Sequence, residues 1–391
     1  MPGPLDGYRI VDCTQMIAGP VATMILADQG ADVIKVEPPG GGDLTRAVGG
    51  RSGISPTFAT SNRNKRSIVI NLKTASGIGL LKRLTATADL FIQNFRPGAA
   101  DRMGIGEAAM RAVKHDLIYV SISGFGETGP YVHKRVYDPV VQALSGLASI
   151  QADPSGRPRM MRLIIPDKVT ALTAAQAMTA ALLARERTGK GQHVRLAMLD
   201  AVVSFLWPEA MAAYTFLRPK NVAVRQAARD LIYETRDGYI TAGAVSDSEW
   251  QGMTRALEHP EWAKDPRFST PAARISNVDQ RLEMTAQVLK TRTSADWLER
   301  LDREQVPCAP VNSREDLLSD PQVQENGLIV EMDHPHAGPM RQTRPAARFE
   351  ATPADLRRPA PMVGEHTDEV LMEAGVSAGE IQLLRNSGVI G

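Results

Sequence analysis

The chain predicts an α/β fold, with a doubly wound, mainly parallel sheet in a large domain and a smaller α+β domain after it. Three observations predict it. Short apolar runs alternate with helix-length segments from the N-terminus to Asp200. A length of 391 residues suits two compact domains better than one. Near Pro208 the alternation gives way to a connector and a hairpin pattern.

Tyr8 to Cys13 (YRIVDC) predicts a short buried strand. Gly19-Pro20 opens a helix, VATMILADQG, that Gly30 closes. Asp32 to Glu37 (DVIKVE) predicts the next strand, and PPGGGD (Pro38 to Asp43) a loop. Strand, helix and strand of these lengths make a right-handed parallel βαβ unit. The pattern recurs with a strand at Ser67 to Leu72, a helix at Ala75 to Thr87, and strands at Asp89 to Phe95 and Leu117 to Gly126. Leu163 to Ile165 predicts a strand-like run before a long Ala-rich helix. Pro208 to Arg229 predicts an extended connector with helical pieces, and Leu231 to Val245 a hairpin turning at Asp237-Gly238. Trp250 to Leu301 is largely helical, Ile329 to Phe349 holds two short strands, and the tail from Thr367 reads helix, turn, helix. The expected division is a large domain at 1–205 completed by 340–391, a linker at 206–227, a small domain at 228–325 and a return linker at 326–339.

Composition narrows the function. The formal net charge is +1, so no strongly basic face is implied and nucleic acid is a poor candidate ligand. The cysteines, Cys13 and Cys308, lie far apart, which predicts a reducing compartment with neither a disulfide framework nor a Cys/His metal cluster. The first residues, MPGPLDGYRIVD, lack the charged and apolar blocks of a secretory signal. No apolar run reaches membrane-spanning length. A cytoplasmic enzyme or metabolite-binding protein, with no membrane partner, is expected.

Asp167 stands out as an acid at the start of the long helix (IIPDKVTALTAAQAM). Asp is a favoured helix N-cap, and its charge suits the helix dipole. A carboxylate there could equally act as a nucleophile toward an activated carbonyl. Pattern alone does not choose between them. Other signals fail. Gly40-Gly41-Gly42 lacks the GxxxxGK(S/T) spacing of a phosphate loop. The first βα turn, QMIAGPVAT, lacks the GxGxxG fingerprint, which disfavours NAD. His334 and His336 have no acidic or Cys partner nearby for a metal. GxSxG is missing.

Several ordered blocks carry a resemblance. LDGYRIVD with AGPVATMILADQGADVIKVEPPGGGD, NRNKRSIVINLK, NFRPGAADRMGI, SISGFGETGP, RERTGKGQHVRLAMLDAV, VPCAPVNSREDLLSDPQV and PMVGEHTDEVLMEAG follow one another along almost the whole chain. In these blocks the chain resembles the family III CoA-transferases, the CaiB/BaiF family, which includes formyl-CoA transferase, carnitine CoA-transferase and α-methylacyl-CoA racemase. The resemblance implies a Rossmann-like large domain, an interlocked homodimer, and no permanently bound cofactor, with coenzyme A entering as the acyl-CoA substrate. It implies transfer of CoA from an acyl-CoA donor to a carboxylic acid through aspartyl anhydride and aspartyl-CoA thioester intermediates.

By the same resemblance Asp167 is the nucleophile, and Tyr137 and Asp138 (RVYDPV) are active-site side chains that orient substrate or donate to intermediates. Met16, Ile17 and Ala18 fall near the thioester, and Ile70, Lys73, Asn94, Phe95, Arg102 and Arg135 where the family contacts CoA. Lys and Arg suit phosphate oxygens by charge and donor geometry. The racemase branch has a His where Tyr137 stands. Tyrosine is a poor general base, with an unperturbed pKa of about 10, so transfer is favoured, although His133 is close enough in sequence to keep racemisation open. A CoA-thioester-binding protein without chemistry and a CoA-ester hydrolase are further alternatives. Formyl-CoA transferases carry a Gln where Ile17 stands and a four-Gly loop that is absent here, which argues for an acid other than oxalate.

Overall fold

A computed structural model describes residues 2–48, 54–153, 155–217 and 230–391. The chain divides into two compact units, 1–225 with 327–391 and 226–326. Of the expected connector at 208–229, residues 218–229 lie outside the described residues.

The first unit is built on six parallel strands: β1 (Arg9–Cys13), β2 (Asp32–Glu37), β3 (Lys65–Val69), β4 (Leu90–Gln93), β5 (Ile118–Ser123) and β6 (His193–Ala197). Their order is β3-β2-β1-β4-β5-β6, with Val11 opposite both Ile34 and Phe91. The chain therefore winds outward from β1 in one direction and from β4 in the other. The doubly wound sheet expected from the alternation is present. Such a sheet opens a crevice where the winding reverses, beyond the carboxyl ends of β1 and β4.

Side chains alternate across the strands, and both faces are covered. On one face lie α1 (Ala18–Asp28) and the later α5 (Ile165–Thr188). Here Ile10, Val33, Ile92 and Val120 meet Ala171, Ala174, Met178 and Ala181. That three-and-four spacing gives α5 a buried stripe of small side chains, so it lies close to its neighbours. Gly189, in the left-handed conformation at φ 67°, ends α5. On the other face lie α2 (Ala75–Thr85) and α3 (Glu107–Val113), where Val11, Ile34, Ile68, Phe91 and Tyr119 meet Leu81, Leu84 and Met110. α4 (Asp138–Leu144) precedes α5, and α6 (Met198–Leu206) follows β6.

Two elements differ from expectation. β3 begins at Lys65, two residues before the expected Ser67. Lys65 and Arg66 enter the strand because both side chains find carboxylate partners, Asp12 at 3.0 Å and Asp32 at 2.6 Å. The expected strand at Leu163 to Ile165 is not formed. Ile164 is the N-cap residue of α5, and Ile165 and Pro166 are its first helical positions, where proline's missing N–H costs nothing. Gln142 takes the place of a neighbouring strand for this segment. It accepts from the Met161 N–H at 3.0 Å and donates to the Leu163 carbonyl at 3.1 Å.

The second unit has the antiparallel sheet β7 (Ile232–Glu234), β8 (Tyr239–Ala242) and β9 (Cys308–Pro310). Its helices α7 (Asp247–Ala256), α8 (Val278–Leu289) and α9 (Ser294–Arg303) enclose Tyr233, Ile240, Trp250, Phe268 and Trp297. The chain then rejoins the first unit. The hairpin β10 (Ile329–His334) and β11 (Gly338–Thr343) occupies much of the segment expected as a return linker. α10 (Thr367–Glu373) and α11 (Ala378–Asn386) cover the α2 face with Val370, Leu371 and Ile381. Ile390 forms a β-bridge with Ile70, and Arg66 binds both Glu369 and Glu373.

Candidate active site

The loop after β1 and the loop after β4 meet at the crevice. Asn94 accepts from the Gln15 N–H at 3.0 Å and donates to the Gln15 carbonyl at 2.8 Å. The β1 loop turns through Met16, whose φ of 69° is left-handed, and enters α1 at Ala18. Gly19 is required there, because a Cβ on it would stand 2.3 Å from the Thr14 Cβ.

Asp167 lies in the first turn of α5, two residues inside its start. It does not cap its own helix. Its N–H donates to Asp138 Oδ2 at 3.2 Å, and the Ala18 N–H at the start of α1 lies near enough to its carboxylate to favour the ionised form. Asp138 opens α4 and is itself buried, with Gln142 Nε2 donating to its Oδ1 at 2.6 Å. Asp167 is half-buried, and the start of α1 meets its carboxylate at Ala18; the positive end of that helix favours negative charge at this point.

Burial and the neighbouring Asp138 nevertheless push the Asp167 carboxyl up to about 6, against the lowering effect of the Ala18 N–H. At neutral pH such a group is still largely ionised, and it is more basic than an ordinary aspartate. A half-buried, basic carboxylate beside backbone N–H donors can attack a carbonyl and have the resulting oxyanion stabilised.

The structure brings Asp167, Asp138 and Ala18 together, with Met16 and Ile17 in the adjoining loop and Asn94 bonded to that loop. Tyr137, the N-cap residue of α4, points to solvent at 68% exposure. Arg135 is exposed in the preceding loop. Lys73 is exposed just before α2, and Arg102 is exposed at the end of the short helix Ala99–Arg102. Phe95 borders a cavity of about 410 Å3 with Arg96, Ser121, Glu127 and His193; Asp167 does not line it. Ile70 is fully buried in the core of the α2 face.

Sequence reasoning missed Gln142, which anchors Asp138 and the segment before α5. It also missed the buried charges under the β1 loop, among them Lys35 and Asp43. The signal for Lys35 is a lone lysine inside the apolar strand DVIKVE. Among the described residues no cluster of His, Cys, Asp or Glu is suited to hold a metal ion, and no helix is long and apolar enough to cross a membrane.

A family model described as CoA-transferase family III matches residues 5–367. The chain is 36% identical to succinyl-CoA:glutarate CoA-transferase of Mus musculus, over 99% of this chain and 90% of the mouse protein. It is 35% identical to succinate–glutarate CoA-transferase of Agrobacterium fabrum, over 95% of each. It is 32% identical to formyl-CoA:oxalate CoA-transferase of Escherichia coli over the full length of both. Among solved structures, a CaiB/BaiF family protein from Brucella suis superposes with a TM-score of 0.81 at 32% identity, covering 96% of this chain and 100% of that one.

Proposed function

Given that this chain belongs to CoA-transferase family III, we propose that Asp167 is the nucleophile of its reaction and that short dicarboxylic acids are its acyl groups. The enzyme is a CoA-transferase, and the chemistry must carry an acyl bond from one acid to another without losing it to water. The ionised Asp167 attacks the thioester carbonyl of the donor, and CoA thiolate leaves, forming a mixed anhydride. The thiolate then attacks the Asp167 carbonyl of that anhydride, releasing the donor acid and leaving CoA as a thioester on Asp167. The acceptor carboxylate attacks this thioester and expels the thiolate. The thiolate finally takes the acceptor acyl group from the second anhydride and frees Asp167.

Each step passes through a tetrahedral oxyanion. When that oxyanion forms on the Asp167 carbon, the Ala18 N–H already faces it. The single observation that carries this reading is the placement of Asp167, half-buried against the start of α1 and beside Asp138, with its carboxyl raised to about 6 yet ionised at neutral pH. For the substrate, support comes from the relatives named as acting on succinate and glutarate, at 34–36% identity. Arg162 and Lys168 are near Asp167 in sequence, on either side of it, and are suited to a second carboxylate.

The test is peptide mass mapping after incubation with a panel of acyl-CoAs, alongside Asp167→Ala. Expected is a CoA or acyl adduct on the Asp167 peptide with succinyl-CoA or glutaryl-CoA. Asp167→Ala should lose transfer by at least about a thousandfold while binding CoA within a few-fold. A fully active Asp167→Ala enzyme removes the nucleophile assignment. Preference for formyl-CoA and oxalate removes the dicarboxylate assignment.

The same reading makes the chain one half of an interlocked homodimer. Phe205, Trp207, Tyr214, Phe216 and Leu217, close together in sequence after β6, are all exposed, and large exposed apolar groups of this kind mark association surfaces. Light scattering should give twice the chain mass; a monomer at micromolar concentration would contradict it.

A further inference from the structure

Beneath the β1 loop lie six charged side chains, each at most 5% exposed: Asp12, Lys35, Glu37, Asp43, Arg46 and Lys65. Taking so many charges out of water is costly, and the chemistry described above uses none of them. Their partners are informative. Several of their bonds go to the backbone of the loop that leads to Ala18. Lys35 Nζ donates to the Thr14 carbonyl at 3.0 Å. Asp12 Oδ1 accepts from the Thr14 N–H at 2.8 Å. Asp43 Oδ1 accepts from the Met16 N–H at 3.3 Å and from the Thr45 N–H at 2.9 Å. Lys65 Nζ donates to the Pro20 carbonyl at 2.8 Å. Lys35 and Asp43 are themselves paired at 2.8 Å.

The residue held between these contacts is Met16, in a left-handed conformation that a residue with a Cβ avoids. Such a turn persists only where its surroundings enforce it. Two residues on, the Ala18 N–H meets Asp167. Ala18 is the first helical residue of α1, and its N-cap residue, Ile17, supplies no side-chain cap.

We propose that the buried Lys35–Asp43 pair is a positioning device for catalysis: by gripping the Thr14 carbonyl and the Met16 N–H it enforces the left-handed turn that aims the Ala18 N–H at Asp167. The pair stays charged on both sides. Although burial opposes it, the carboxylates of Asp12, Asp43 and Glu37 raise Lys35, and Lys35 lowers Asp43. The other cations of the cluster have carboxylates of their own, Lys65 on Asp12 at 3.0 Å and Arg46 on Glu37 at 2.6 Å. The proposal rests on the reading of Asp167 as nucleophile for its consequence in catalysis, but its geometry is independent of that reading.

The experiment compares Asp43→Ala and Lys35→Met, both checked for folding by thermal melts. It reads two quantities: steady-state transfer and the titration of the Asp167 carboxyl, followed by carbon-13 NMR of labelled aspartate and assigned with Asp167→Asn. A slackened loop withdraws the Ala18 N–H, so the Asp167 titration should move upward by at least about half a unit in both variants. A field effect alone would move it up when the lysine is removed and down when the aspartate is removed, so Asp43→Ala separates the two causes. Transfer should fall about tenfold or more in kcat with KM for acyl-CoA within about threefold. In a Met16→Gly background, where the left-handed turn needs no enforcement, Lys35→Met should cost less than about threefold.

An unmoved or lowered Asp167 titration in folded Asp43→Ala overturns the proposal. So does a loss of kcat on Lys35→Met that is equal in the native and Met16→Gly backgrounds. If the titration moves as expected while Asp167→Ala remains active, the positioning role stands and the nucleophile assignment falls.

Discussion

Asp167 shows how little a residue's identity reveals without its neighbours. In the sequence it reads equally as a helix cap or a nucleophile, and only the resemblance favours the second. In the structure its side chain turns away from its own helix toward Ala18, and Asp138 sits against its N–H. Protonation removes the nucleophile, so transfer should decline as pH falls through about 6, the value to which burial and Asp138 raise this carboxyl. Asp138→Asn takes away the neighbouring negative charge, which favours the ionised form of Asp167. The acid limb of the kcat/KM profile should therefore move to lower pH, and a less basic nucleophile should slow transfer several-fold at neutral pH. A limb that stays near 6 would show that Asp138 does not set the titration. The buried charges were illegible for a related reason. The lone lysine in DVIKVE hints at a buried charge, but nothing local reveals that its partner is Asp43.

Helices and strands were more legible, because periodicity is a property of a segment rather than of one side chain. β1, β2, β4 and β5 and the long Ala-rich helix lie where the alternation placed them. The failures occurred where a side chain from elsewhere completes an element. Gln142 holds the segment before α5 by hydrogen bonds to the Met161 and Leu163 backbone, so an apolar run that looks like a strand needs no sheet. Asp12 and Asp32 admit Lys65 and Arg66 to β3. The start of α1 depends on close approach rather than on polar partners. Gly19→Ala would drive a methyl group to 2.3 Å from the Thr14 Cβ, so α1 and β1 must separate. Expected are a loss of about 1–3 kcal/mol in a denaturant melt and a fall in kcat larger than the fall in CoA affinity, since the Ala18 N–H moves with the helix. An unchanged kcat in a destabilised but folded variant would show that the entry of α1 has no part in the chemistry.

At the scale of the whole chain, the doubly wound sheet followed from alternation alone, whereas the pairing of its distant ends did not. No local pattern announces that Ile390 bridges Ile70, or that Glu369 and Glu373 in α10 bind Arg66. These are contacts between segments about three hundred residues apart in the chain, and sequence periodicity carries no such information. They also impose an order on biosynthesis. Residues 226–326 form a continuous unit with its own core, so that unit has all its parts once the ribosome has passed Asn326. The unit that bears Asp167 has to wait longer, because the cover over its α2 face, α10 and α11, follows the second unit in the chain. On ribosomes stalled before Thr367, brief proteolysis should spare the later-made unit and cut the earlier-made one. Equal protection of both would mean that the sheet closes without its C-terminal cover. In this enzyme the first half to be made would be the last to become native.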